Sequence, residues 1–254
     1  MSEEVLVDVL DGIMIVTINR PQARNAVNSN VAKGIAAAMD ELDSNDKIHV
    51  AILTGAEGTF CSGMDLKGFI TGDLPSLEGR GFGGVTESPP QKPLIAAVEG
   101  YALAGGFELA ITCDLVVAAE NSQFGIPEVK RGLAAAAGGL VKLPRQIPPR
   151  IAMEMALTGE FISASRAYEL GLVNKIVASG SALEGAKDLA KLITANGPIA
   201  VVASKQVVLQ SQDWSTNEMF AKQNIITKKV FYSKDAIEGA TAFAEKRAPV
   251  WKGE

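Results

Sequence analysis

The sequence predicts an α/β fold with a helical C-terminal region, and three observations carry that prediction. Short β-rich apolar runs recur through the first 177 residues, each running into a turn that contains Gly or Asp. Segments with apolar residues at helical spacing lie between several of these runs, an alternation that argues for layered α/β architecture. After Ser181 the apolar residues keep helical spacing almost to the end, with one break at Asn196-Gly197-Pro198. We therefore divide the chain into a main body, residues 1–196, and a helical subdomain, residues 197–254.

Each element has a local reason. Val5 to Leu10 and Ile13 to Asn19 are β-rich, and Asp11-Gly12 between them suits the positive φ of a tight hairpin. Asn28 or Ser29 can cap a helix to about Asp43, with Val31, Ile35, Met39 and Leu42 on one face. His49 to Thr54 reads as a buried strand that ends at Gly55. Residues 72–91 are rich in Gly, Pro and Ser, so a mobile loop with one short helix is expected. Leu94 to Val98 is another buried strand, leading to a helix over Gly106 to Thr112 and a strand over Asp114 to Ala119. Pro148-Pro149 opens a helix to Leu157, because proline fits a first turn. Ser163 caps the next, which stops at Gly171, and Leu172 to Val177 forms a last strand.

Composition narrows the function. With 254 residues, 47% apolar, the chain can bury a large core. A net charge of −5 and the absence of a Lys/Arg stripe give no reason to expect nucleic acid. No apolar run approaches the roughly 20 residues that span a bilayer, and the acidic N-terminus does not read as a signal peptide. Cys61 and Cys113 are the only cysteines and are expected as reduced thiols in a cytoplasmic protein. His49 is the single histidine and has no companions at ligand spacing, so neither a metal site nor a Ser-His-Asp triad is expected.

Three segments carry possible chemistry. Phe60-Cys61-Ser62-Gly63-Met64-Asp65-Leu66-Lys67 is a Gly-containing turn after a buried strand, which lets backbone approach a ligand. Taken alone, a plain strand-to-helix turn is the favoured reading. Glu99 to Ala110 contains Gly105-Gly106 opening a helix, whose first N–H groups suit a negatively charged oxygen. Glu108 follows in that first turn; a packing glycine pair with an ordinary helix-start glutamate is the alternative. Phe124-Gly125-Ile126-Pro127-Glu128 fixes a glutamate after a proline, beside the small residues Gly132 to Gly139; taken alone, a solvated loop glutamate is the favoured reading.

Together, in this order and spacing, the three segments resemble the enoyl-CoA hydratase (crotonase) family. The likeness covers about Val5 to Trp251 and includes Asn19-Arg20-Pro21, Arg24-Asn25-Ala26, Leu157-Thr158-Gly159 and Ala242 to Arg247. The resemblance implies a spiral of ββα units with a helical C-terminal subdomain that makes trimers or dimers of trimers. It places an oxyanion hole on the N–H groups of Met64 and Gly105, and catalytic carboxyls on Glu108 and Glu128. CoA contacts fall on Arg24, Ala26, Ser62, Asp65, Leu66 and Lys67, and the acyl pocket on Ala136 and Gly138. It implies no cofactor: a CoA thioester is the substrate, with no membrane or nucleic-acid partner. Where hydratases often have Pro-Gly or Pro-Asp, this chain has Ala135-Ala136. Leu143-Pro144-Arg145, Ile147-Pro148-Pro149 and Pro249 to Gly253 resemble the carnitinyl-CoA dehydratase branch.

The implied reaction is addition of water to a 2-enoyl-CoA thioester. Two N–H donors stabilise the enolate-like oxygen, and two carboxyls sharing one proton serve as base and acid. A double-bond isomerase needs the same donors but only one carboxylate, so the glutamate pair favours hydration. A non-catalytic acyl-CoA binder is the alternative from another class, which the Ala134–Ala137 run leaves open.

Overall fold

The computed structural model describes residues 4–254. Strands β1 (Val5–Leu10) and β2 (Ile13–Ile18) form the opening hairpin, with Leu10 opposite Ile13. Asp11 and Gly12 both take positive φ (51° and 77°), the pairing that matches a two-residue turn to strand twist. Helix α1 (Ser29–Ser44) follows, and of the two candidate caps it is Asn28 whose side chain accepts the Val31 N–H. Next come β3 (Val50–Gly55), the short α2 (Leu66–Ile70) and a small hairpin of β4 (Ser76–Leu77) and β5 (Gly81–Phe82). The chain continues through β6 (Leu94–Val98), β7 (Tyr101–Leu103), α3 (Gly105–Thr112), β8 (Leu115–Ala119) and β9 (Gln123–Gly125). Then follow α4 (Gly139–Gln146), α5 (Pro149–Thr158), β10 (Ile162–Ser163), α6 (Ala164–Glu169) and β11 (Lys175–Val177). The last helices are α7 (Ala182–Thr194), α8 (Pro198–Gln210), α9 (Met219–Phe231) and α10 (Lys234–Glu245).

Two sheets organise these elements. The larger has the order β1-β2-β3-β6-β8-β11 and is parallel except at β1. The smaller has the order β10-β9-β7, and single parallel bridges, Cys61 to Ala102 and Val27 to Met64, accompany it. Successive turns of chain lay a strand in the large sheet, then an extended segment in the inner layer, then a helix. The three turns that start at β2, β3 and β6 do this in sequence, which is the ββα spiral.

Both faces of the large sheet are covered, so its strands read as continuous apolar runs rather than alternating ones. Along β3, Ala51 and Leu53 join the main core while Val50 and Ile52 face a second cluster under α7. Ala182, Ala186 and Ala190 of α7 lie at four-residue spacing, and these small residues let the helix sit close on the strands. Each fully buried side chain such as Ile52 or Leu53 stabilises by roughly 1.5–3 kcal/mol. Glu99, just after β6, accepts the N–H groups of Ala182 (2.8 Å) and Gly180 (3.1 Å), and so caps α7 where Ser181 does not. Among the described residues no single helix is long and apolar enough to cross a bilayer.

Several expectations need correction. Residues 72–91 contain the β4–β5 hairpin and no helix, and Gly81 to Thr86 are buried rather than loose. The glycines there mark close packing: a Cβ at Gly84 would lie 2.3 Å from Ala32 O. Helix α4 was not foreseen, because Gly138-Gly139 and Pro144 both read as breakers. Of the run Leu172 to Val177 only β11 is strand; Leu172 and Val173 are buried in the approach to it, and Asn174 Oδ1 accepts the Val116 N–H at 2.7 Å.

Candidate active site

The inner layer brings two turns against each other. Val27 donates to Gly63 O (2.8 Å) and accepts from Asp65 N–H (2.9 Å). Both hydrogen-bonding groups of Val27 are thus spent on the neighbours of Met64, whose own N–H lies on the opposite edge with no protein acceptor among the described residues. Opposite stands Ala104, held by donation to Gly125 O at 2.8 Å, with Gly105 opening α3. The first N–H groups of a helix have no partner within it, so the Gly105 N–H is also open.

Small residues make this approach possible. A Cβ on Gly63, which has φ +101°, would lie 2.8 Å from Ala104 Cβ and 3.2 Å from Gly105 N. A Cβ on Gly106 would lie 2.1 Å from Cys61 O, and one on Gly105 would lie 2.4 Å from the Phe82 ring. Ala104 pays for the geometry with φ +53° and ψ −129°, a region L residues avoid at about 1–3 kcal/mol.

The two turns border a cavity of about 920 Å³. Met64, Gly105, Glu108 and Glu128 all line it, as do Arg24, Ala26, Ser62, Asp65, Leu66, Lys67 and Ala136. Gly138 does not. It sits one residue before α4 with φ +125°, where a Cβ would meet the Lys142 side chain, and Leu133, Ala134 and Ala137 line the wall instead.

Glu108, 2% exposed, projects from the first turn of α3, and its Oε1 accepts the Gly139 N–H at 2.8 Å. Burial pushes its carboxyl up to about 7; the Gly139 and Ala137 N–H groups and Lys142 pull it down, and Glu128 pushes it further up. Glu128 sits on a 3-10 turn, Pro127–Arg131, that follows β9. Burial also pushes its carboxyl up, and its Oε2 is buried with no protein partner. Two carboxyls in one cavity, both raised by burial and one raised further by the other, can hold one proton between them.

At the mouth, loops are pinned by backbone bonds. Asn25 is fully buried; its side chain accepts from Arg20 N–H and donates to Ala56 O and Thr59 O. Ser62 N–H in turn donates to Arg24 O (3.1 Å). Asp65 is less a ligand contact than a brace: its side chain accepts the Lys67 and Gly68 N–H groups to cap α2, and Arg20 Nη2 donates to it at 2.8 Å. The Arg20 guanidinium holds the Asp65 carboxyl below its usual range. Arg24, Lys67 and Arg131 bring positive charge to the cavity, and among the described residues none is ion-paired. Among the described residues no three His, Cys, Asp or Glu side chains converge as a metal ion requires.

Sequence reasoning missed Phe82, Lys130, Arg131 and Phe161 on the cavity wall. Phe82 belongs to the segment expected to be loose, and Phe161 and Lys130 come together only in three dimensions, with Lys130 Nζ 5.8 Å from the Phe161 ring centre. Arg131 and Lys130 had a signal, since both follow Glu128 within one turn.

Comparison with known proteins agrees with this geometry. The enoyl-CoA hydratase/isomerase family model matches residues 8–254. An enoyl-CoA hydratase structure from Mycobacterium tuberculosis H37Rv is 59% identical, covers all of both chains and superposes with a TM-score of 0.98. A carnitinyl-CoA hydratase structure from Mycobacterium avium is 40% identical over all of both chains, with a TM-score of 0.80. A carnitinyl-CoA dehydratase from Salmonella typhi is 38% identical, again over the full length of both. By spiral, cavity and relatives alike, the chain belongs to the enoyl-CoA hydratase/isomerase (crotonase) family.

Proposed function

We propose that this protein catalyses reversible addition of water to a 2-trans-enoyl-CoA, giving the 3-hydroxyacyl-CoA. The observation that carries the proposal is the meeting of buried Glu108 and half-buried Glu128 in one cavity with the outward-facing Met64 and Gly105 N–H groups. As the C3–O bond forms, negative charge moves to the thioester oxygen, where the Met64 and Gly105 N–H groups receive it. Each such donor is worth about 3 kcal/mol. Glu108 takes a proton from the water, and Glu128 carries the proton delivered to C2. The coupled pair returns to its starting protonation after one exchange. Arg24 and Lys67 meet the phosphates of CoA.

The names of some relatives raise a trimethylammonium-bearing acyl group as the substrate. The cavity does not favour it: the acidic residues on its wall are Asp65, already engaged by Arg20, and the two glutamates of the reaction. Its aromatic residues are Phe82 and Phe161, and a cation, Lys130, already stands near Phe161. An uncharged enoyl chain against Leu133, Ala134, Ala136 and Ala137 fits better. We extend the proposal to assembly as a trimer or dimer of trimers through residues 197–254, supported by the exposed Phe231 and Phe243.

The test is loss of conjugated-thioester absorbance with crotonyl-CoA, run beside Glu108→Gln and Glu128→Gln. A fall of roughly 10²- to 10⁴-fold in each variant supports the two-carboxylate hydratase. Isomer formation without water addition would move the reading to an isomerase, and tight thioester binding without turnover would move it to a silent binder.

A further inference from the structure

Behind Glu108, away from the cavity wall, lies a partly buried lysine that the reaction above does not use. Lys142 Nζ donates to Thr86 O at 2.6 Å and to Thr112 Oγ1 at 2.9 Å. Thr112 Oγ1 in turn donates to the backbone carbonyl of Glu108 at 2.8 Å. One ammonium therefore ties together α4, which carries it, the C-terminal end of α3 and the loop after β5. On α4 itself, Lys142 N–H donates to Gly138 O at 2.7 Å, and the stem of Lys142 packs where a Gly138 Cβ would lie. Gly139, next to Gly138, gives its N–H to Glu108 Oε1. Gln146, a turn further along, donates to Ile111 O at 3.0 Å and completes the attachment of α4 to α3.

We propose that Lys142 is a positioning residue for Glu108: by clamping α4 to α3 it fixes the Gly139 N–H that orients the Glu108 carboxyl. The inference rests on the reading of Glu108 as a proton-transfer group. Its charge acts in the same place. The charged or ionisable groups that act on Lys142 are Glu108, Glu87 and the Cys113 thiol, and among the described residues none makes an ion pair with it. Glu108 in turn feels Glu128 from the 3-10 turn and Lys142 from α4. The Lys142 charge eases ionisation of a carboxyl that burial opposes, so its removal makes Glu108 a less available base near neutral pH.

The experiment compares Lys142→Met, Lys142→Gln and Lys142→Arg with the parent enzyme, reading kcat, KM and the pH profile of kcat/KM with crotonyl-CoA. Because Glu108 must be ionised to accept the proton, loss of the charge moves the acid limb of the profile to higher pH. Lys142→Met is expected to lose kcat roughly ten- to hundredfold with KM within about twofold, since the lysine touches no part of the cavity. Lys142→Arg keeps the charge and is expected to restore the profile. Should Lys142→Met not fold, Lys142→Gln retains a donor for Thr86 O without the charge and must show the same shift of the acid limb. A folded Lys142→Met or Lys142→Gln with parental kcat and an unmoved acid limb overturns the proposal. A parent enzyme without turnover would instead sink the hydratase reading. In that case carboxyl ¹³C NMR of Glu-labelled protein, with Glu108→Gln for assignment, decides: a Glu108 midpoint raised in Lys142→Met supports the clamp, and an unchanged midpoint and linewidth overturn it.

Discussion

The N–H of Gly139 meets Glu108 Oε1 across 2.8 Å, so the start of α4 is aimed at a side chain in the first turn of α3. Two helix N-termini thus converge on one buried carboxyl. Their dipoles favour its ionised form while burial opposes it. The balance, with the Glu108 carboxyl at about 7, leaves both protonation states available near neutral pH. That suits the role proposed for Glu108, accepting a proton in hydration and returning it in dehydration.

The first prediction is the pH profile. In the proposed hydration Glu108 acts in its ionised form, so kcat/KM should rise as pH increases through about 7. Glu128, raised by burial, supplies its proton in the neutral form, so its ionisation opposes the reaction as pH rises. The profile is a bell, measured with crotonyl-CoA across pH 5 to 9. A flat profile over that range would remove the coupled carboxyl pair from the mechanism.

The same carboxyl has a stability cost whose sign is fixed. Its midpoint is higher in the folded protein, about 7, than the ordinary value of 4.5 that applies when unfolded. The folded state therefore holds the proton more tightly. The cost is absent below the lower value, grows between the two, and is complete above the higher one, reaching at most roughly 3 kcal/mol. Glu108→Gln keeps an acceptor for Gly139 and cannot ionise. Relative to the parent, this variant should gain stability between pH 5 and pH 8 in urea unfolding. An equal difference at both pH values would show that Glu108 titrates normally.

Gly63 supports a third prediction. Its φ of +101° is costly for any other residue, and a Cβ there would press on Ala104 and Gly105. Gly63→Ala should separate the two turns and lose about 10²- to 10³-fold in kcat, the loss expected from one misplaced donor. The measurement is steady-state kinetics on protein whose circular dichroism matches the parent. Parental kcat in such a protein would show that the Met64 and Gly105 N–H groups do not act together.

Lys205 carries the fourth. It reaches from α8 into the main body, donating to Pro90 O (2.8 Å), Lys92 O (2.9 Å) and Asp114 Oδ2 (2.6 Å). Asp114 Oδ2 also accepts the Leu94 N–H at the head of β6. Both side chains are largely buried, so removing one partner strands the other. Lys205→Met should cost roughly 3–5 kcal/mol in denaturant unfolding, far more than an exposed pair such as Arg166–Glu169. A loss below about 1 kcal/mol would mean that α8 is held by its apolar contacts alone.

The legible and illegible parts of this chain divide along physical lines. The strands of the large sheet were readable because both faces are buried and their apolar runs are unbroken, as in Val50 to Leu53. Gly105-Gly106 and Glu108 were readable as a pattern, since the dipole logic of a helix start is local. The segment from Gly81 to Thr86 was not: its glycines allow backbone to pack against Ala32 and Leu109, a contact between distant parts of the chain. Helix α4 was hidden for a similar reason. Gly138-Gly139 and Pro144 lower its local propensity, and it is held instead by Lys142, Gln146 and the buried Leu143. Arg20 could be quoted from the sequence but not its task, because Asp65 lies 45 residues away.

The last prediction concerns assembly. In the isolated chain Phe220, Ile225 and Phe231 of α9 and Phe243 of α10 are 70% or more exposed. Exposed apolar side chains of that size on two successive helices are what the proposed assembly would cover. With the family's trimer as the proposed arrangement, the partner is a second and third copy of this chain. Sedimentation at micromolar concentration should then give three or six chains per particle. Phe231→Glu would place a carboxylate in the dry interface, at a cost of several kcal/mol, and should shift the protein toward single chains while its secondary structure persists. A parent that sediments as one chain would leave these side chains unexplained by self-association and remove the trimer from the reading. A parent trimer that Phe231→Glu leaves intact would place the contact on another face of α9 and α10.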